Sequence, residues 1–315
     1  MATKKTGSLL LSPNYTEDTV GFALESFLSL LSFPRRKFSI DPFSRGNERW
    51  LGADARLEGR VKSFKPFYMQ FKRPFAYPDH SKAKIVKDRL ALKLDASPHA
   101  LFFDLHPKKP HHADFQHNIL FRLRRRLLKL GIGDAAYVCP LFLDRSAYRS
   151  NLHLAGLKMW PRFWRPHPWE MKELQIQTGL IDGGVINFSS IPVLREHITI
   201  PPHAAVTEAS HSYSFTELGE QVCFHSPLSL PESQSSLSAF LERVAGNIGP
   251  EGRSISADGA SVALNALLSP QMDEQPLGVS FQVGDGDGIS RWREFGRVLR
   301  TDFGIEQYAF VNWND

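Results

Sequence analysis

The chain has 315 residues, 42 % of them hydrophobic and 23 % charged, with a net charge of +5, a balance that permits a polyanionic partner without demanding one. Its two cysteines, Cys139 and Cys223, lie far apart and outside any CxxC pattern, which argues against a disulfide framework or a cysteine zinc site and for a reducing compartment. No apolar run approaches the roughly 18 residues of a membrane span, and the leading leucine triplet is too short for a signal-peptide core, so a cytoplasmic protein with no membrane partner is expected.

Residues 16–31 predict a helix: Thr16 can cap it, Glu17 and Asp18 suit its positive end, and Phe22, Leu24, Phe27, Leu28 and Leu31 form an apolar side. A short strand is expected at 37–41. Two longer ones, 49–59 and 66–77, are expected to be joined by a basic turn. Residues 82–95 read equally as helix or strand. A buried strand at 99–105 leads into the loop HPKKPHH, a helix over 113–130 stopped by Gly131 and Gly133, and a strand at 135–143. Beyond residue 160 the pattern weakens. A linker or loop is expected at 228–235, helices at 236–244 and 290–302, and strands at 278–283 and 307–313. This order implies a mixed sheet with helices packed on it.

Strand alternation places Gln70 and Lys72 on one face, with Phe67, Met69 and Phe71 on the other. Asp54, on the preceding expected strand, would join the polar face if the two strands pair. An acid, an amide and an ammonium suit phosphodiester hydrolysis: a divalent cation takes hard oxygen ligands, and a lysine orients water or stabilises phosphate charge. The alternative is an ordinary hairpin with its polar residues on a wet face.

GAD ending at Asp54, QFK from Gln70 to Lys72, and Glu25 in the first helix resemble the PD-(D/E)XK nuclease superfamily, and the Gln variant is similar to Mrr-type and antiphage effector nucleases. The resemblance covers residues 16–143. It implies an α/β, restriction-endonuclease-like fold, a mixed central sheet flanked by helices, with a C-terminal α+β extension. Residues 1–158 would form the nuclease core and 159–315 an accessory region for partner or target recognition. It further implies Mg²⁺ or Mn²⁺ held by Asp54, Gln70 and Glu25, with Lys72 acting on the water or phosphate. Double-stranded DNA would be the substrate, and a homo-oligomer or a multi-subunit antiviral defence complex the setting. A noncatalytic nucleic-acid-binding or assembly subunit and an RNA-directed nuclease are the alternatives.

Arg122, Arg124, Arg125, Arg126 and Lys129 crowd the helix at 113–130, where they read as a phosphate-tracking face or as the wet side of an amphipathic helix. Lys108 and Lys109 extend the positive region into the HPKKPHH loop, read as facing DNA. His106, His111, His112 and His117 have spacings that zinc can use, but the neighbouring lysines oppose a cation. Gln116 is expected on the helix surface, with a weaker reading as support for the site. MWPRFWRPHPWE, beginning at Met159, reads as core packing or as a base-stacking surface. GDGDG, from Gly284, reads as a helix entry capped by Asp287 or Ser290. No Walker motif, GxSxG elbow or HExxH pair is present.

Overall fold

The computed structural model describes residues 9–31, 38–41, 61–146, 150, 181–182, 185–186, 188, 192–208, 210–226, 228–245, 254–273, 275–281 and 286–313. Asp54, the strand expected at 49–59 and the tryptophan-rich segment lie outside these residues. In chain order the elements are α1 (Glu17–Leu31), β1 (Phe38–Asp41), β2 (Val61–Phe71), β3 (Phe75–Pro78), α2 (Lys84–Ala91), β4 (His99–Asp104), α3 (Gln116–Leu130) and β5 (Asp134–Pro140). There follow β6 (Ile181–Asp182), β7 (Val185–Ile186), α4 (Pro192–Arg195), β8 (His197–Ile200), β9 (Ser212–Phe215), β10 (Cys223–Ser226), β11 (Leu228–Pro231) and β12 (Ser235–Ser236). The last are α5 (Leu237–Ala245), β13 (Ile255–Ser256), α6 (Ala260–Leu268), α7 (Gly288–Phe303) and β14 (Glu306–Trp313).

The architecture is mixed α/β. A central sheet runs β1-β14-β2-β5-β8-β12, with β13 also on β2, and a second sheet runs β11-β10-β9-β4-β3. β2 and β5 are parallel, and the other pairs of the central sheet are antiparallel, so the sheet is mixed. Alternation along β2 sends Phe67, Met69 and Phe71 into a core with Val20, Leu24 and Leu28 of α1 and Phe240, Leu241 and Val244 of α5. Phe64 and Tyr68 enter a core on the other face with residues of α3, α6, α7 and the second sheet. Helices therefore cover both faces, as a parallel strand pair requires.

Local signals explain the ends of several helices. Thr16 Oγ1 accepts from the Thr19 amide at the start of α1, and Asp287 Oδ1 accepts from the amides of Ile289 and Ser290 at the start of α7. Gly131 and Gly304 take left-handed conformations (φ 68° and 61°) at the ends of α3 and α7, where a side chain would be strained.

Several expectations need correction. The single strand expected at 66–77 is two strands in different sheets, because Pro74 cannot donate to a ladder and the chain leaves the central sheet at residues 72–74. The expected partner of β2 in a hairpin, residues 49–59, lies outside the described residues, and the described partners of β2 are other strands. β14 pairs with it from Val61 to Met69, while β13 and then β5 occupy its other edge at Ser63–Phe64 and Phe67–Phe71. Pro66, which has no N–H, falls in the gap between those two partners. Finally, residues 159–315 do not stand apart as an accessory unit, since β8, β12, β13 and β14 are strands of the central sheet itself. The expected linker at 228–235 holds β11 and the start of β12, and residues 278–281 form no strand.

Candidate functional site

Gln70 and Lys72 share one face of the central sheet, as alternation predicts, but that face is not wet. Gln70 is 2 % exposed and Lys72 is 1 % exposed. The Lys72 amide still donates to Val138 O (2.8 Å), so its backbone belongs to the ladder at the point where the chain turns toward the second sheet. Its Nζ lies 5.9 Å from the centroid of the Tyr137 ring. Burial lowers the Lys72 pKa from 10.5 to about 8, while the charges of Glu17 and Asp104 partly support the ammonium.

Asp104 ends β4 in the second sheet, and the chain just beyond it is held by a bond from the Leu105 amide to His211 O (2.9 Å). Its pKa is raised by desolvation and opposed by Lys72. His106, two residues on, has its pKa lowered to about 4, first by the Lys72 charge and then by burial. The sequence did not mark Asp104, and it marked His106 only as one of four histidines at zinc-compatible spacing. The available signal was an acid at the polar end of an otherwise apolar strand.

The HPKKPHH loop docks on the C-terminal end of α7. Lys109 Nζ donates to Asp302 O (3.3 Å), and the His112 ring packs 4.6 Å from the Phe303 ring. Gln70 Nε2 donates to Phe303 O (3.4 Å). The Gln116 amide lies against Gly304. The ends of β2, β4 and α7 and the start of α3 thus converge around the Gln-x-Lys tripeptide.

Glu25 is half-buried in α1. Its helix packs against the opposite side of the sheet, and the α1 acid that supports the Lys72 charge is Glu17 in the first turn. Glu25 sits two turns further on, about 12 Å along the helix axis at ~1.5 Å per residue.

The arginines of α3 are mostly structural. Arg122 is 4 % exposed, pairs with Asp114 (2.6 Å) and donates to Leu277 O (3.3 Å). Arg126 is 1 % exposed and donates to Leu267 O, Ser269 O and Gln275 O. Arg124 pairs with Asp134 (2.9 Å), which Arg243 of α5 also approaches (3.3 Å). Arg125 pairs with Asp273 (3.1 Å), and Lys129 Nζ donates to Met272 O. A phosphate backbone has no access to Arg122 or Arg126. Exposed cations nearer the Gln-x-Lys tripeptide are Lys108 and Lys109.

His117 is buried with Nδ1 on Tyr137 Oη (2.7 Å) and Nε2 on Ala204 O (2.8 Å), a packed core histidine. Among the described residues no group of three His, Cys, Asp or Glu side chains is arranged to hold a metal ion. Another constellation has the connectivity of a hydrolase triad: Asp88 Oδ2 to His225 Nδ1 (3.4 Å) and His225 Nε2 to Ser214 Oγ (2.8 Å). Ser214 is fully buried in β9 between β4 and β10, and its Oγ accepts from Arg89 (3.0 Å), so no acyl group can reach it. Both cysteines are buried. Among the described residues no helix is long and apolar enough to cross a membrane. No protein-family model matches this chain, and neither a curated protein nor a solved structure matches it.

Proposed function

We propose that this chain is a metal-dependent nuclease that hydrolyses phosphodiester bonds in DNA, working at the C-terminal end of β2. The observation that carries the reading is Lys72. A lysine 1 % exposed, on the same face as a buried glutamine two residues before it, stands where a central strand leaves its sheet. Burying an ammonium costs several kcal/mol, and a packed core gains nothing from one. Groups whose burial shifts their ionisation toward neutral pH are what proton transfer requires.

The element order also supports a restriction-endonuclease-like core: a helix, strands including β2, then α3 and a strand β5 running parallel beside β2. β14 on the other edge of β2 is a departure from the arrangement that the resemblance implies.

The residues fit a hard divalent cation. Gln70 keeps a buried carbonyl oxygen, Oε1, that accepts no hydrogen bond among the described residues. A carboxylate is available, by the sequence pattern, from Asp54. A divalent cation bound there would polarise a phosphoryl oxygen and make a water more acidic. This chain's own contribution is the lysine. In its neutral form Lys72 accepts a proton from the attacking water, and the surrounding apolar packing limits competing solvent. Lys108 and Lys109, on the loop beside the site, supply sequence-independent attraction to the phosphate backbone.

The test is cleavage of plasmid, single-stranded DNA and RNA, with Mg²⁺ or Mn²⁺ and without either, by the parent protein and by Lys72→Ala. Metal-dependent cutting of DNA that disappears in the variant is expected. A variant that cuts as fast as the parent refutes the role of Lys72, and preferential cutting of RNA refutes the substrate.

A further inference from the structure

We propose that the cavity between the C-terminal half of α3 and the turn at 269–273 binds a small phosphate-bearing molecule, at a place apart from the Gln-x-Lys tripeptide and independent of the nuclease reading. The cavity, about 400 Å³, is lined by Arg125, Arg126 and Lys129 of α3 and by Gln271, Met272 and Asp273. Small-molecule sites commonly measure roughly 300–1,000 Å³. Arg125 and Lys129 stand one turn apart on one face of the helix, and both are exposed. Arg126 is about 15 Å along the helix axis from Gln116, which lies beside the tripeptide, at ~1.5 Å per residue.

Charge selects the ligand. Arg126 is 1 % exposed, and among the described residues its guanidinium bonds only to neutral carbonyls, those of Leu267, Ser269 and Gln275. Its Nε is buried with no hydrogen bond. Lys129 Nζ also donates to a carbonyl, Met272 O (2.9 Å). Arg125 alone faces a carboxylate, Asp273 (3.1 Å), whose side chain is 6 % exposed. Three cations and one carboxylate therefore line the cavity, an excess of two positive charges. Carbonyls satisfy the hydrogen bonds of Arg126 but not its charge, and a buried charge without a counter-charge is costly. An anion in the cavity supplies the counter-charge. A phosphate monoester carries about −1.5 to −2 at pH 7, which matches the excess. Asp273 and the Phe121 ring, 5.5 Å from Arg125 Cζ, hold the Arg125 fork in place, and its remaining N–H groups suit phosphate oxygens.

The experiment is ligand-observed NMR on the full chain, using the phosphorus lines of inorganic phosphate and AMP and the proton lines of adenosine. It compares the parent with Arg125→Gln, Lys129→Gln, Asp273→Asn and, as a control on the lysine loop, Lys108→Gln. Circular dichroism confirms that each is folded. Phosphate and AMP are expected to bind the parent and Lys108→Gln alike, and adenosine to bind neither. Arg125→Gln and Lys129→Gln should each bind about tenfold more weakly, the loss of one charge-assisted hydrogen bond. Asp273→Asn should bind more tightly, a direction that a damaged fold does not produce. AMP binding tighter than phosphate assigns the site to a phosphate monoester and equal binding assigns it to the free anion; both uphold a phosphate site. A parent that binds neither, adenosine binding as well as AMP, or Arg125→Gln and Lys129→Gln both binding like the parent overturns the proposal. Displacement of AMP by a duplex without terminal phosphates also overturns it, since the cavity would then belong to a DNA interface.

Discussion

Lys72→Met removes a buried ammonium while keeping most of the side-chain volume, and so separates the cost of the residue from its use. The fall of the Lys72 pKa from 10.5 to about 8 is driven by burial, and Lys72 is 1 % exposed. At ~1.36 kcal/mol per pH unit, that difference corresponds to about 3 kcal/mol of stability lost by holding the charge inside the fold. Methionine avoids this loss, but the variant leaves Asp104 without its cation, so a net gain of about 2 kcal/mol is expected at pH 7. The pH dependence follows from the direction of the shift. The folded protein releases the proton near pH 8 and the unfolded chain only near 10.5. Between these values the unfolded chain binds more protons, and the parent gains stability as pH rises. The advantage of the variant should be full below pH 8 and shrink steadily toward pH 10. Urea unfolding of both proteins at pH 7, 8, 9 and 10 measures it. A variant less stable than the parent at pH 7, or a difference constant across the series, would refute the reasoning. The same variant should be inactive, the signature of a residue kept for function at the expense of stability.

If Lys72 is the base, Mg²⁺-dependent cleavage should rise about tenfold per pH unit below pH 8 and level off above it; a rate that falls through pH 8 would instead assign the ammonium form. Arg126→Met should destabilise the fold by about 2–4 kcal/mol, because three backbone carbonyls lose a buried donor. Its remaining folded fraction should bind DNA with an unchanged salt slope, and a flattened slope would restore Arg126 to the DNA interface. Gly133→Ala should cost about 1–3 kcal/mol in urea unfolding, since an added Cβ would overlap the Pro66 carbonyl oxygen in the middle of β2. A change within 0.5 kcal/mol, the range of about ±0.5 typical of surface substitutions, would mean that β2 yields at Pro66.

Elements with strong local signals were legible in the sequence. α1 with its Thr16 cap, α3 with its glycine stop, α7 with its Asp287 cap, β4 and β14 all follow from periodicity and capping chemistry within a dozen residues. Partner choice was not. Apolar residues of Val61–Phe71 fit any neighbour, and nothing local says that β5, β13 and β14 are among them. The short strands β8 to β12 were missed because runs of two to four residues carry too little alternation to stand out. At the site, the shared face of Gln70 and Lys72 was readable because period two is a local property. Asp104 and His106 were not, since the charge of Lys72, more than 30 residues away in sequence, reaches them only in the folded chain. The arginines of α3 misled for the same reason. Charge on a helix is visible in sequence, but the carbonyls at Leu267, Ser269 and Gln275 that absorb Arg126 are not.

The position of β14 has a consequence for synthesis. Glu306–Trp313 flanks β2 from Val61 to Met69, yet the ribosome makes it long after Val61–Phe71 has emerged. Until then the strand bearing Gln70 and Lys72 is a nascent edge, rich in phenylalanine, with open N–H and C=O groups that invite pairing with other chains. Gln70 also lacks its Phe303 partner during that interval. The surroundings of the Gln-x-Lys tripeptide are therefore completed late, and a chain interrupted before residue 303 would lack both β14 and the Phe303 partner of Gln70.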